Sequence, residues 1–178
     1  MATKTAAGTQ VRQHLTLHRT TTPLGPFAVL VDGETVYAAG FTASGKELAT
    51  YAGIDPERVR ESDEGHSALT AVHAYFAGDL GALDRVVTVE KSTVGPFVAK
   101  ARAALRDIPA GTTRTYTELA ATAGNPGAIR AAGSACATNP VGLIIPCHRV
   151  VRTDGSLGGY LYGLDIKRAL LAHEAAAA

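Results

Sequence analysis

A chain of 178 residues with 46% hydrophobic and 19% charged side chains is long enough to bury a core without cross-links, and its composition excludes a largely disordered protein. A formal net charge of +1 and a pI near 7.8 exclude the basic balance that alone announces a nucleic-acid binder, so any such binding must come from a local patch. The two cysteines are too few for a disulfide framework and lack the spacing of metal ligands, which points to a reducing cytoplasm and to no bound metal.

The stretch from Met1 to His14 is rich in Thr and Ala and reads as a frayed start without the apolar core of a secretion signal. No segment approaches the ~20 apolar residues of a membrane span. Leu24 to Val31 and Thr35 to Phe41 are β-rich runs flanking Asp32-Gly33-Glu34, a turn signal, and predict a β-hairpin. Gly45 to Gly65 mixes charge, Gly and Pro without a clear period. Leu69, Val72, His73 and Phe76 then recur at the spacing of one helical face, with Gly78 to end the helix. Arg85 to Glu90 reads as another strand. The expectation for residues 1–92 is an α/β domain, a small β-sheet with a helix, with the boundary near Lys91 to Gly95.

Residues 93–178 predict a mostly α-helical domain. Val94, Phe97, Val98, Ala101, Leu105 and Ile108 form one helical stripe, stopped by Pro109-Ala110-Gly111. Thr115 or Thr117 can cap a helix running to Ala123; Gly124-Asn125-Pro126 breaks it, and Gly127 to Ala137 forms a second. That pair is a helix-turn-helix candidate, although helix pairs joined by Gly-containing turns also occur in proteins that never touch DNA. Val141 to Ile145 is a short apolar run, Thr153 to Gly159 a glycine-rich turn region, and Leu164 to Glu174 a final amphipathic helix before a frayed alanine end.

Cys147 follows the apolar run, where a buried element ends and a side chain can meet a cleft. A lone cysteine is more often a small buried hydrophobe, but an imidazole that pairs with its thiolate makes it a nucleophile. His148 is the neighbour, and on an extended chain it points away from the sulfur, so it needs a turn or a bridging water. Its other nitrogen needs an acceptor, for which Glu174 is one candidate; His173 reads as structural. Arg130 is the charged residue of the second helix, among the small residues Ala131, Ala132, Gly133, Ser134 and Ala135. Such a face either packs tightly against another helix or approaches DNA closely, with the arginine filling the gap of an extruded base.

These residues stand in an ordered set: Pro109 to Tyr116 (PAGTTRTY), Gly124-Asn125-Pro126, Arg130 to Gly133 (RAAG), Asn139-Pro140, Ile145 to Val150 (IPCHRV), Gly158-Gly159-Tyr160 and Leu170 to Glu174 (LLAHE). From Pro96 to Glu174 the chain resembles the O6-alkylguanine-DNA alkyltransferases, the methylated-DNA-protein-cysteine methyltransferase family. The resemblance implies a single-use repair enzyme that binds the minor groove of double-stranded DNA, flips the damaged nucleotide out and moves its alkyl group to Cys147, with no cofactor, membrane or obligate protein partner. It covers O6-alkylguanine and leaves O4-alkylthymine open.

By the same resemblance His148, through a water, and Glu174 activate Cys147, Tyr116 turns the target phosphate and serves the departing guanine, and Asn139 ties the recognition helix to the active-site segment. Arg130 is the finger that replaces the flipped nucleotide, with Ala131, Gly133 and Ser134 facing DNA. Cys136, Val150, Tyr160, Leu161 and Tyr162 are expected around the substrate pocket, with backbone groups near Cys147, Val150 and Leu161 reading the guanine edge and Tyr160 as a wall; Leu161 removes a hydroxyl found in some relatives and Tyr162 adds bulk beside the pocket. Two rivals are an alkylguanine-binding sensor, against which the presence of Cys147 argues, and a Cys-His hydrolase, which needs an oxyanion hole that the sequence does not reveal.

Overall fold

A computed structural model describes residues 14–89 and 94–178. The expected frayed start up to residue 13 and the proposed boundary between 92 and 93 lie outside the described residues. The first half is built on a four-stranded sheet in the order β3-β2-β1-β4. Its strands are β1 (Leu15–Thr22), β2 (Gly25–Asp32), β3 (Thr35–Gly40) and β4 (Val59–Glu61). β2 and β3 form the predicted antiparallel hairpin, while β1 and the short parallel β4 lie in segments whose sequence gives no clear strand pattern.

β2 is apolar from Phe27 to Val31 because that run is buried on both faces. Phe27, Val29 and Val31 point into the main core, and Ala28 and Leu30 point the other way, onto Leu48 and Ala49. The latter belong to α1 (Gly45–Tyr51), a helix that sequence periodicity misses; Ser44 caps it by accepting from the Glu47 amide. On the opposite face lies α2 (Ser67–Phe76), turned slightly from expectation: Ala68, Leu69, Val72 and Tyr75 are buried, whereas His73 is exposed and bonds Thr20 on β1. The predicted strand at Arg85 to Glu90 is corrected. A 3-10 turn (Ala82–Arg85) leads to a single bridge between Thr88 and Val36, too little pairing for a strand; Glu90 lies outside the described residues.

In the second half, α3 (Pro96–Arg106) packs against α4 (Tyr116–Thr122) and α5 (Ile129–Ala137). Thr115 is the cap of α4 and forms a reciprocal capping box with Glu118, a device that contributes about 1 kcal/mol. Ala101, Ala123 and Ala135 meet where the three helices converge, so small side chains set their close approach. α4 and α5 realise the expected helix-turn-helix. Arg102 of α3 is buried and donates to the carbonyls of Ala135 (3.4 Å) and Thr138 (2.6 Å), which fixes the C-terminal end of α5.

Two-residue strands, β5 (Arg114–Thr115) and β6 (Val150–Val151), pair in parallel. The final helix, α6 (Leu164–Ala177), runs through the alanines expected to fray, as their high helix propensity permits. One apolar cluster joins β2, β3 and α2 to Leu105, Leu119, Ile145, Val150 and Leu170, so both halves share a core. No described helix is long and apolar enough to cross a membrane.

Candidate active site

Between α5 and the loop before α6 lies a cavity of about 640 Å³, lined in part by Tyr116, Arg130, Gly133, Cys136, Cys147 and Tyr160. Asn139 organises its floor. Its side chain accepts from the Val141 amide (3.1 Å), donates to the Ile145 carbonyl (2.9 Å) and lies 3.3 Å from the Cys147 sulfur. Between those anchors Leu143 is held at φ 70°, which costs a non-glycine residue about 1–2 kcal/mol. The segment is also tied to β3, where the Ala39 amide donates to Pro140 and the Ala39 carbonyl accepts from Gly142.

Cys147, His148 and Arg149 form a 3-10 turn, the bend that an adjacent Cys-His pair needs. His148 is fully buried; its Nε2 donates to Glu174 Oε1 at 2.9 Å, and its Nδ1 has no hydrogen-bond partner among the described residues. Burial lowers the His148 pKa against the opposing pull of Glu174, so the ring is neutral at pH 7 with its basic lone pair on Nδ1. Burial also pushes the Cys147 thiol up, while the Asn139 amide and the Lys167 charge pull it down; at rest it is a thiol. Cys136 is pushed up to about 12, chiefly by burial.

Glu174 is buried on α6 and its carboxylate is densely bonded. Arg149 donates through Nε and Nη2 at 2.8–3.2 Å, the Gly111 amide at 3.1 Å, and the Tyr75 hydroxyl at 2.8 Å. Burial opposes ionisation here, but the bonds from His148 and Arg149 outweigh it and hold the carboxyl well below the usual range. Arg149, Tyr75 and Lys167 are site residues that sequence reasoning missed. Lys167 is buried and donates to the carbonyls of Val150 (2.6 Å) and Gly159 (3.2 Å). The available signal was the Arg149 beside His148 in IPCHRV, since a buried arginine needs a counter-ion.

Of the expected pocket residues, Cys136, Tyr160 and Leu161 line the cavity, with Leu161 41% exposed at its rim. Val150, expected for its backbone groups, buries its side chain fully in β6, and its carbonyl accepts from Lys167. The Tyr162 ring fills the space left by the missing side chains of Gly40 and Gly142, and its hydroxyl donates to the Ala39 carbonyl at 3.3 Å. Tyr162 braces the loop against β3 and stands beside the cavity, its ring 5.8 Å from that of Tyr160, which lines it. Arg130 and Gly133 line the cavity; Ser134 is exposed on α5 and Ala131 half-buried. His173 is structural as expected, its Nε2 donating to the Tyr75 carbonyl at 2.9 Å.

Residues 96–176 match the family model described as the 6-O-methylguanine DNA methyltransferase DNA-binding domain. Along 150 residues the chain is 39% identical to the methylated-DNA-protein-cysteine methyltransferase of Methanosarcina acetivorans, covering 84% of this chain and 91% of that relative. This chain belongs to the methylated-DNA-protein-cysteine methyltransferase family. The Salmonella typhimurium member is 36% identical over 165 residues, covering 86% of this chain and 91% of its own. A crystal structure of Mycobacterium tuberculosis OGT in complex with DNA superposes with a TM-score of 0.76 at 32% identity, covering 92% of this chain and 94% of that one. As a methylated-DNA-protein-cysteine methyltransferase, the protein binds DNA and acts by direct reversal, a single-use transfer to cysteine with the nucleotide flipped out. Among its described residues no cluster of His, Cys, Asp or Glu is placed to hold a metal.

Proposed function

We propose that Cys147 is the acceptor, that its substrate is O6-alkylguanine in double-stranded DNA engaged from the minor groove, and that residues 93–178 carry both DNA binding and transfer. The observation that carries this reading is the convergence of Cys147, Tyr116 and Arg130 on one cavity, with His148, next to Cys147 in the same 3-10 turn, in a buried pair with Glu174. Nδ1 of His148 takes the thiol proton through a bridging water. The resulting thiolate is stabilised by the Asn139 amide and the nearby Lys167 charge, and the imidazolium by Glu174.

The thiolate attacks the alkyl carbon in line. The S–C bond forms as the C–O6 bond breaks, and the bonding pair leaves with guanine, whose growing negative charge needs a proton or hydrogen bond. Tyr116 is suited to that role because its pKa is raised, first by burial and then by the nearby cysteines, so it remains a hydroxyl donor. The thioether has no route back to a thiol, so each molecule acts once. α5 presents Arg130, with Ala131, Gly133 and Ser134 facing the groove and Arg130 occupying the gap of the flipped base.

The test is a titration of duplex containing O6-methylguanine with excess DNA. The expected result is a burst of one demethylated guanine per protein molecule and no further turnover; continued turnover would contradict a single-use cysteine acceptor. Tyr116→Phe is expected to slow transfer about ten- to a hundredfold, the range of a lost proton donor, while DNA affinity by fluorescence anisotropy stays within about twofold. An unchanged rate would remove Tyr116 from the chemistry.

A further inference from the structure

The densely bonded carboxylate of Glu174 draws one of its donors from the other half of the molecule. Tyr75 lies on α2, 99 residues away in sequence, yet its hydroxyl donates to the same Oε1 atom that accepts from His148 Nε2. Arg149 Nη2 also reaches that oxygen, at 2.8 Å. A carboxylate oxygen offers about two lone-pair positions, so Tyr75 and His148 share the charge of one crowded atom. The helices are joined at the adjacent residue as well, where His173 bonds the Tyr75 carbonyl and its ring lies 5.0 Å from the Tyr75 ring. Tyr75 is fully buried, and burial followed by the Glu174 charge holds its pKa far above the ordinary tyrosine value, so it remains a donor throughout the working pH range.

We propose that Tyr75 is a positioning residue for alkyl transfer, supplied by the N-terminal half, which orients Glu174 and limits how much of its negative charge reaches His148. This rests on the reading of His148 and Glu174 as the relay for Cys147. Groups facing His148 are Glu174 and Lys167 from α6, Arg149 and Cys147 from its own turn, and Tyr75 from α2, acting through Glu174. Among these, Arg149 and Lys167 disfavour the imidazolium and Glu174 favours it. Removing the Tyr75 hydroxyl concentrates charge on Oε1 toward the imidazole, so His148 becomes more basic. The first half of the chain thus tunes the relay as well as packing against it.

Tyr75→Phe in the full chain keeps the ring and deletes the donor. Two profiles are measured between about pH 5 and 9: the ring ¹⁵N shifts of His148, assigned with His148→Asn, and the single-turnover rate on O6-methylguanine duplex. The His148 pKa and the acid limb of the rate profile are expected to rise together by about half a unit, slowing transfer about threefold on the acid limb while the alkaline plateau stays within about twofold. A uniform rate loss with an unmoved His148 titration would assign Tyr75 to packing alone and overturn the proposal. Glu174→Gln serves as the control for the underlying reading. If that variant transfers at the parent rate the relay itself is wrong, whereas a slow Glu174→Gln beside a Tyr75→Phe profile superimposed on the parent removes only Tyr75.

Discussion

Glu174→Ala is expected to destabilise the protein by about 3–5 kcal/mol, the range for breaking a buried ion pair by removing one partner, and to slow transfer at least about a hundredfold. The substitution leaves the buried Arg149 guanidinium without its carboxylate and strips the acceptor from Tyr75, His148 Nε2 and the Gly111 amide together. His148 then has nothing to hold its tautomer, so Nδ1 no longer serves reliably as the base for Cys147. Glu174→Gln separates the two losses: it keeps the shape and much of the packing, and is expected to slow transfer with a smaller drop in melting temperature.

The same residue governs acid stability. Because the folded-state pKa of Glu174 is depressed, its contribution is fully present above its unfolded value, about 4.3, and is lost as pH falls through the folded value. Denaturation measured against pH is therefore expected to show a steeper acid loss for the parent chain than for Glu174→Gln. Parallel curves would mean that the carboxylate is not held as its partners imply.

Arg130→Ala is expected to slow repair in duplex DNA about a hundredfold, because holding a nucleotide out of the stack costs a few kcal/mol that the inserted side chain offsets. Transfer from the free O6-alkylated base needs no flipping and should change by less than about twofold. Arg130 is exposed at the first turn of α5 beside the cavity, so its removal leaves the packing intact. Equal losses on both substrates would rule out the finger role and point to a general effect on the pocket.

The hairpin, α2 and the helix pair were legible because their apolar periods are local. β1 and β4 were not, since their pairing depends on partners elsewhere in the chain, and α1 is a short helix with little apolar face beyond Leu48 and Ala49. β5 and β6 are two residues each and exist only because the loops around them are already placed. Within the site, IPCHRV and the LLAHE helix marked Cys147, His148 and Glu174. Tyr75 was invisible because nothing in a sequence joins positions 99 apart, and on α2 it reads as another core aromatic. The seat of Tyr162 was hidden for a related reason: the space it occupies is made by Gly40 and Gly142, whose proximity only folding reveals.

Cys136 and Cys147 line the same cavity, yet only Cys147 carries the Asn139 amide on its sulfur and adjoins the buried His148. The decisive measurement is the mass of the peptides bearing residues 136 and 147 after incubation with duplex containing O6-methylguanine, with fragmentation to locate any added group. The account predicts one added methylene unit on Cys147, none on Cys136, and none anywhere in Cys147→Ser. Methylation found on Cys136, or an unmodified Cys147 in a protein that still holds the alkylated duplex tightly, would contradict it.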